Sequence, residues 1–182
     1  MAKHGRRPFR VRAGLLLAVL AGSVAAREPS VPVGDLMLAQ YVGVARMPGG
    51  EGAAVALSVD EGQTVVPIFI GLVEAAAIVR AERGIRPPRP LTHELLTDLV
   101  TAAGGVVLQV VIDDLHEGVY YASVQLRVQE KRLVWVDARP SDAVALALRH
   151  RVPIRLGPAV VASAPDPDGH DGGTATRTGL RL

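Results

Sequence analysis

A chain of 182 residues without cysteine is long enough to bury one core, and it excludes disulfides, thiolate metal sites, cysteine nucleophiles and a cysteine-linked lipid anchor. The formal charge of +2 is unevenly placed: five of the 20 basic residues and none of the 18 acidic ones precede residue 27, so the remainder carries 15 against 18, a net of −3. That balance gives no support to a broad basic face, and any nucleic-acid contact has to come from a local site.

The chain opens as an export leader. Lys3, Arg6, Arg7, Arg10 and Arg12 precede the apolar run 13–21, and Val24-Ala25-Ala26 then offers small residues to a peptidase. The run falls within the roughly 7–15 residues of a signal-peptide core and short of the about 20 that span a bilayer. Residues 1–26 are therefore expected to be removed, leaving a periplasmic or secreted protein with no stable membrane insertion. Residues 27–35 read as a linker.

Residues 36–46 are rich in β-formers, and Met47-Pro48-Gly49-Gly50 turns the chain. The runs 53–59 and 65–70, split by polar residues 60–63, complete an antiparallel meander. From Leu72 the period changes to that of a helix, 72–83, stopped by Gly84. Three prolines keep 84–91 out of helical conformation. Thr92 is the expected N-cap of a helix through 103, closed by Gly104-Gly105.

Residues 106–115 form a β-branched strand, with Asp113, Asp114 and His116 expected as solvated turn residues. Strands follow at 119–128 and 133–136, then a helix at 140–150 whose final His150 suits the helix dipole, and an extended segment at 152–156. Residues 163–182 are too rich in Gly, Asp, Pro and Thr to bury a core and read as a disordered tail. Strands followed by helices, in two rounds, predict an α+β fold: one compact domain, 36–162, with a largely antiparallel sheet and about three helices.

There is no phosphate-binding loop, no nucleophile elbow and no zinc-binding helix motif. Three segments concentrate the polar chemistry. Pro67-Ile68-Phe69-Ile70-Gly71 precedes Glu74, a carboxylate in the first turn of an apolar helix. Pro88-Arg89-Pro90 holds Arg89 in a stiff loop before His93 and Glu94. Asp137-Ala138-Arg139-Pro140-Ser141-Asp142 sits at a strand-to-helix junction, where Ser141 or Asp142 can cap the helix and Arg139 can pair with a carboxylate or grip a phosphate.

These segments, in this order, together with Tyr120-Tyr121-Ala122 and Pro153-Ile154, resemble the bifunctional nuclease domain family over roughly residues 36–161. The resemblance implies a compact, self-associating α+β domain, a dimer in the simplest case, with nuclease activity towards DNA and RNA. It also has departures: Glu94 stands where the family usually has Asp, and Tyr120 where it often has Phe.

Phosphodiester hydrolysis needs an activated water and stabilisation of negative charge, both of which a carboxylate-held Mg or Mn ion supplies. On that reading Glu74, Glu94 and Asp142 are the candidate ligands. His93, Glu94 and Asp142 are the candidate catalytic residues, and Arg89, Arg139 and Ser141 the substrate-binding ones. The rival reading is a non-catalytic envelope domain that binds a partner or small anion, its motifs serving as caps and turns. The two differ in whether these side chains share one cleft.

Overall fold

The computed structural model describes residues 26–129 and 132–165. The leader before Ala26 and the tail beyond residue 165 lie outside the described residues. Among the described residues no helix is long and apolar enough to cross a membrane.

Seven strands form one mostly antiparallel sheet, ordered β3-β2-β1-β7-β4-β5-β6. Strands β1 (Met37–Arg46), β2 (Ala53–Val59) and β3 (Thr64–Ile70) make the first meander. Strands β4 (Val106–His116), β5 (Val119–Val128) and β6 (Arg132–Ala138) make the second. The three-residue strand β7 (Ile154–Leu156) lies between them, antiparallel to β1 and parallel to β4. Pro67 is tolerated in β3 because that strand is an edge and its missing N–H breaks no interior ladder.

Helices α1 (Leu72–Glu82), α2 (Thr92–Ala102) and α3 (Pro140–His150) match the expected spans to within a residue, and α3 packs on α1, α2, β4 and β5. Val55, Leu57, Ile68, Ile78, Val110, Ile112, Val144 and Leu156 form the centre of a single core, each at most 2% exposed. A short helix α4 (Pro158–Ala162), not foreseen in the sequence, follows β7 and packs on β4. Gly157 makes that junction possible, since a Cβ there would run into the backbone of Asp113. Beyond it the body continues past residue 162: the Ser163 hydroxyl lies 3.0 Å from that of Tyr120, and Ala164 packs against the core.

Asp113 corrects the sequence expectation most clearly. It is not a solvated turn residue but 1% exposed, inside β4, which continues to His116. The β4–β5 register passes from Ile112↔Ala122 to Asp114↔Tyr121, leaving Asp113 as the extra residue of a β-bulge. Such a bulge re-aims a side chain relative to the regular alternation. The expected linker supplies its partner: Arg27 bonds both carboxylate oxygens, at 2.6 and 3.1 Å, and the Ser30 N–H donates to Oδ2 at 2.5 Å. The Ser123 hydroxyl donates to the Arg27 carbonyl at 2.7 Å, and the guanidinium lies 5.2 Å from the Tyr121 ring centroid. Burial raises the Asp113 pKa, but the Arg27 and Ser30 bonds outweigh it and the net shift is downward.

Removing Arg27 leaves this carboxylate buried without its counter-charge. Arg27→Ala is expected to lower stability by about 1.5–3 kcal/mol, the range for hydrogen bonds to charged groups. Urea unfolding would show it as a lower midpoint at unchanged slope, and an unmoved midpoint would mean that water replaces the guanidinium without loss.

Candidate functional site

The sheet-to-helix junctions bring distant segments together at one cleft of about 550 Å³. Gly71 ends β3 and N-caps α1; a methyl group there would collide with the Glu74 carboxylate, so its absence leaves that side chain room. Arg139 leaves β6 as the N-cap of α3, and Pro140 follows at the first helical position, where a missing N–H costs nothing. Contrary to expectation, neither Ser141 nor Asp142 caps this helix. Asp142 instead faces the cleft from the first turn.

Four side chains form one hydrogen-bonded chain at the cleft edge. His93 Nε2 lies 2.9 Å from Asp142 Oδ1. Arg139 donates to both Asp142 oxygens, from Nε at 2.8 Å and Nη2 at 3.2 Å, and its Nη1 donates to Glu74 Oε1 at 3.2 Å. The hydrogen bond from His93, with Arg139 adding to it, holds the Asp142 carboxyl at about 2 against the upward push of burial. Asp142 is therefore a carboxylate and an acceptor only, which assigns a hydrogen to His93 Nε2. The three bonds of Arg139 leave two of its five N–H donors for a ligand.

Behind this edge the cleft is apolar, floored by Val107, Val124, Leu126 and Val136 of the sheet and walled by Ala77, Leu96 and Leu146 of the helices. Arg80 and Asp137 also line it, and the Arg80 Nε is buried without a hydrogen-bond partner among the described residues. In the sequence Arg80 is marked only as a basic residue in the last turn of α1.

The remaining expected site residues do not converge here. Glu94 is 3% exposed and pairs with Arg149 of α3, while its other oxygen accepts the Leu91 N–H at 2.9 Å. The N-cap of α2 is Leu91, one residue before the expected Thr92, which puts Glu94 at the third helical position. A glutamate there reaches back to the N-cap N–H, the half of a capping box that leucine cannot reciprocate. Ser141 is buried on the other side of Arg139, and Arg89 is exposed and does not line the cleft. The set Glu74, Glu94 and Asp142 is thus not a common ligand set, and among the described residues no three His, Asp or Glu side chains are grouped to hold a metal ion. Glu74 and Asp142 do face one another, but the Arg139 guanidinium bridges them, so the residues as arranged do not fit a resident Mg or Mn ion. His150 also departs from its expected role: burial, then Arg149, pushes its pKa down and favours the neutral ring.

Residues 55–167 match the bifunctional nuclease domain. The chain is similar to an uncharacterized protein of Mycobacterium tuberculosis, 46% identical over 120 residues, which are 64% of this chain and 71% of that one. It is also similar to Bifunctional nuclease 1 of Oryza sativa subsp. japonica, at 28% over 106 residues, and to Bifunctional nuclease 2 of Arabidopsis thaliana, at 31% over 108 residues. Each plant match covers 57% of this chain and 32% of the plant protein.

The lowered Asp142 pKa has a definite consequence in acid. A carboxyl depressed on folding stabilises the native state above its unfolded pKa of about 3.9, and the contribution disappears as pH falls through the folded value. The stability gap between the wild type and Asp142→Asn is expected to be constant near neutrality and to close as pH falls from about 4 towards 2. Denaturation at stepped pH checks it, and a gap independent of pH would remove the ionised Asp142 from the network.

Proposed function

The chain belongs to the bifunctional nuclease domain family, and from that membership we propose that it hydrolyses phosphodiester bonds of DNA or RNA at the cleft edge formed by His93, Asp142, Arg139 and Glu74. The observation that carries this reading is the His93–Asp142–Arg139–Glu74 chain itself. His93 Nδ1 takes a proton from water as its oxygen bonds to phosphorus, the P–O bond to the leaving nucleoside oxygen breaks, and that oxygen takes a proton from solvent. Asp142 fixes the ring and stabilises the imidazolium, which then returns its proton to water. Arg139 directs its two free donors at the phosphate oxygens, where negative charge grows in the transition state, and Glu74 keeps the guanidinium turned to the cleft.

His93→Ala is expected to lower kcat on RNA and DNA by about 10²–10⁴-fold, the usual share of a general base. Arg139→Ala is expected to cost about 10²–10³-fold, the usual share of one charge-stabilising group. Cleavage by the wild type should survive a chelator; its abolition would assign the carboxylates to an ion in place of Arg139. No cleavage of either substrate by the wild type rejects the nuclease reading. One observation favours the alternative of a binding domain, namely the apolar floor of the cleft, which suits a ligand with an apolar body better than a polynucleotide.

We also propose that the domain self-associates through α2. Only Glu94 of this helix is buried, while Leu95 and Leu99, four residues apart and so on one face, are 49% and 58% exposed. Sedimentation should show a dimer that Leu95→Glu with Leu99→Glu converts to monomer, and a monomeric wild type would reject the interface.

A further inference from the structure

A second cavity, of about 280 Å³, opens on the other face of α2, between it and the ends of α1 and α3. Arg83, Arg86, Arg149 and Arg151 line it, against two carboxylates, Glu82 and Glu94. The lining therefore carries two positive charges in excess, although one of the four, Arg86, also pairs with Asp98, which does not line the cavity, at 3.3 Å. Both acids are already engaged, Glu82 by the Tyr41 hydroxyl at 3.3 Å and Glu94 by Arg149 and the Leu91 N–H.

Two residues that line this cavity carry buried donors that nothing among the described residues accepts. The Arg149 side chain is only 8% exposed, yet among the described residues its one hydrogen bond is from Nη2 to Glu94, and Nε is buried without a partner. The Thr97 hydroxyl, also lining the cavity, is buried and unpartnered. Basic residues at helix C-termini commonly complement the dipole, which accounts for arginines at the ends of α1 and α3. It does not account for a buried guanidinium N–H and a buried hydroxyl left unpaired on two residues that line one cavity, since such groups are almost always paired.

We propose that this cavity is a binding site for a phosphate dianion, free or as the terminal phosphate of a larger molecule. A tetrahedral oxyanion offers acceptors to both donors once the Arg149 and Thr97 side chains turn towards it, and its charge matches the basic excess of the lining. Arg83 and Arg86, exposed on the rim, close over the outer oxygens. The site shares no side chain with the cleft that holds His93 and Arg139, so it stands whether or not the chain cleaves nucleic acid.

Calorimetric titration of the purified protein with inorganic phosphate, at fixed ionic strength in chloride, tests it. A saturable site is expected, weakened about tenfold or more by Arg83→Gln with Arg86→Gln and weakened by Thr97→Val. The rim pair is chosen because both residues are exposed, whereas Arg149→Gln strands Glu94 and endangers folding. No saturable binding, or binding that the rim pair leaves unchanged, overturns the proposal. An oligonucleotide carrying a 5′-phosphate should compete with inorganic phosphate; equal competition by the same oligonucleotide without it would assign the cavity to the polynucleotide backbone and overturn the dianion.

Discussion

Three residues of backbone, Ile154–Leu156, join two meanders that would otherwise be separate sheets. β7 pairs on one side with Met37–Ala39 and on the other with Val110–Ile112, so every strand is ordered relative to it. Ile154 and Leu156 are buried, and Gly157, immediately after, donates to the Ile112 carbonyl at 2.9 Å. The cleft inherits this constraint. Glu74 rides on the helix that follows the first meander, whereas Asp142 and Arg139 belong to the junction that ends the second. Their hydrogen bonds through Arg139 cross between the two halves, where the shared sheet and the packing of α3 on α1 bring them together.

Two ion pairs place side chains on either side of α2 in contrasting ways. Glu94 and Arg149 are both nearly excluded from solvent, and Glu94 simultaneously ties down the first turn of the helix that carries His93. Breaking such a buried pair by removing one partner is far costlier than its net contribution suggests, because a charge is stranded. Asp142 and Arg139 are more open to water, the Arg139 side chain being 66% exposed, and so can exchange partners when a ligand arrives. The first pair fixes the scaffold, and the second stays open to solvent.

Much of the fold was legible in the sequence because it was written in local periodicity: alternation for the strands, helix-forming runs bounded by Gly84, Gly104 and Pro140, and the motifs that carry the family resemblance. What was not legible depended on partners far along the chain. Asp113 next to Asp114, His116 and Gly118 has the composition of a turn, and only the unmatched register across β4 and β5 turns it inward. Glu94 resembled a ligand because its counter-charge, Arg149, lies 55 positions away. One signal was present: a glutamate at the third helical position is a capping residue, but placing the N-cap at Thr92, one residue late, concealed it. The meeting of His93 with Asp142, 49 positions apart, follows from how α2 and α3 pack and has no local signature.

The hydrophobic pattern begins at Leu36, which suggests a domain that starts there. Arg27 moves that frontier nine positions earlier, since its guanidinium reaches across 86 positions of sequence to the buried carboxylate in the bulge of β4. Any shortened version of the chain beginning after residue 27 would keep every strand and helix yet lose the clasp that holds Asp113, and a peptidase that nibbled past this point would loosen the sheet from its middle without touching it.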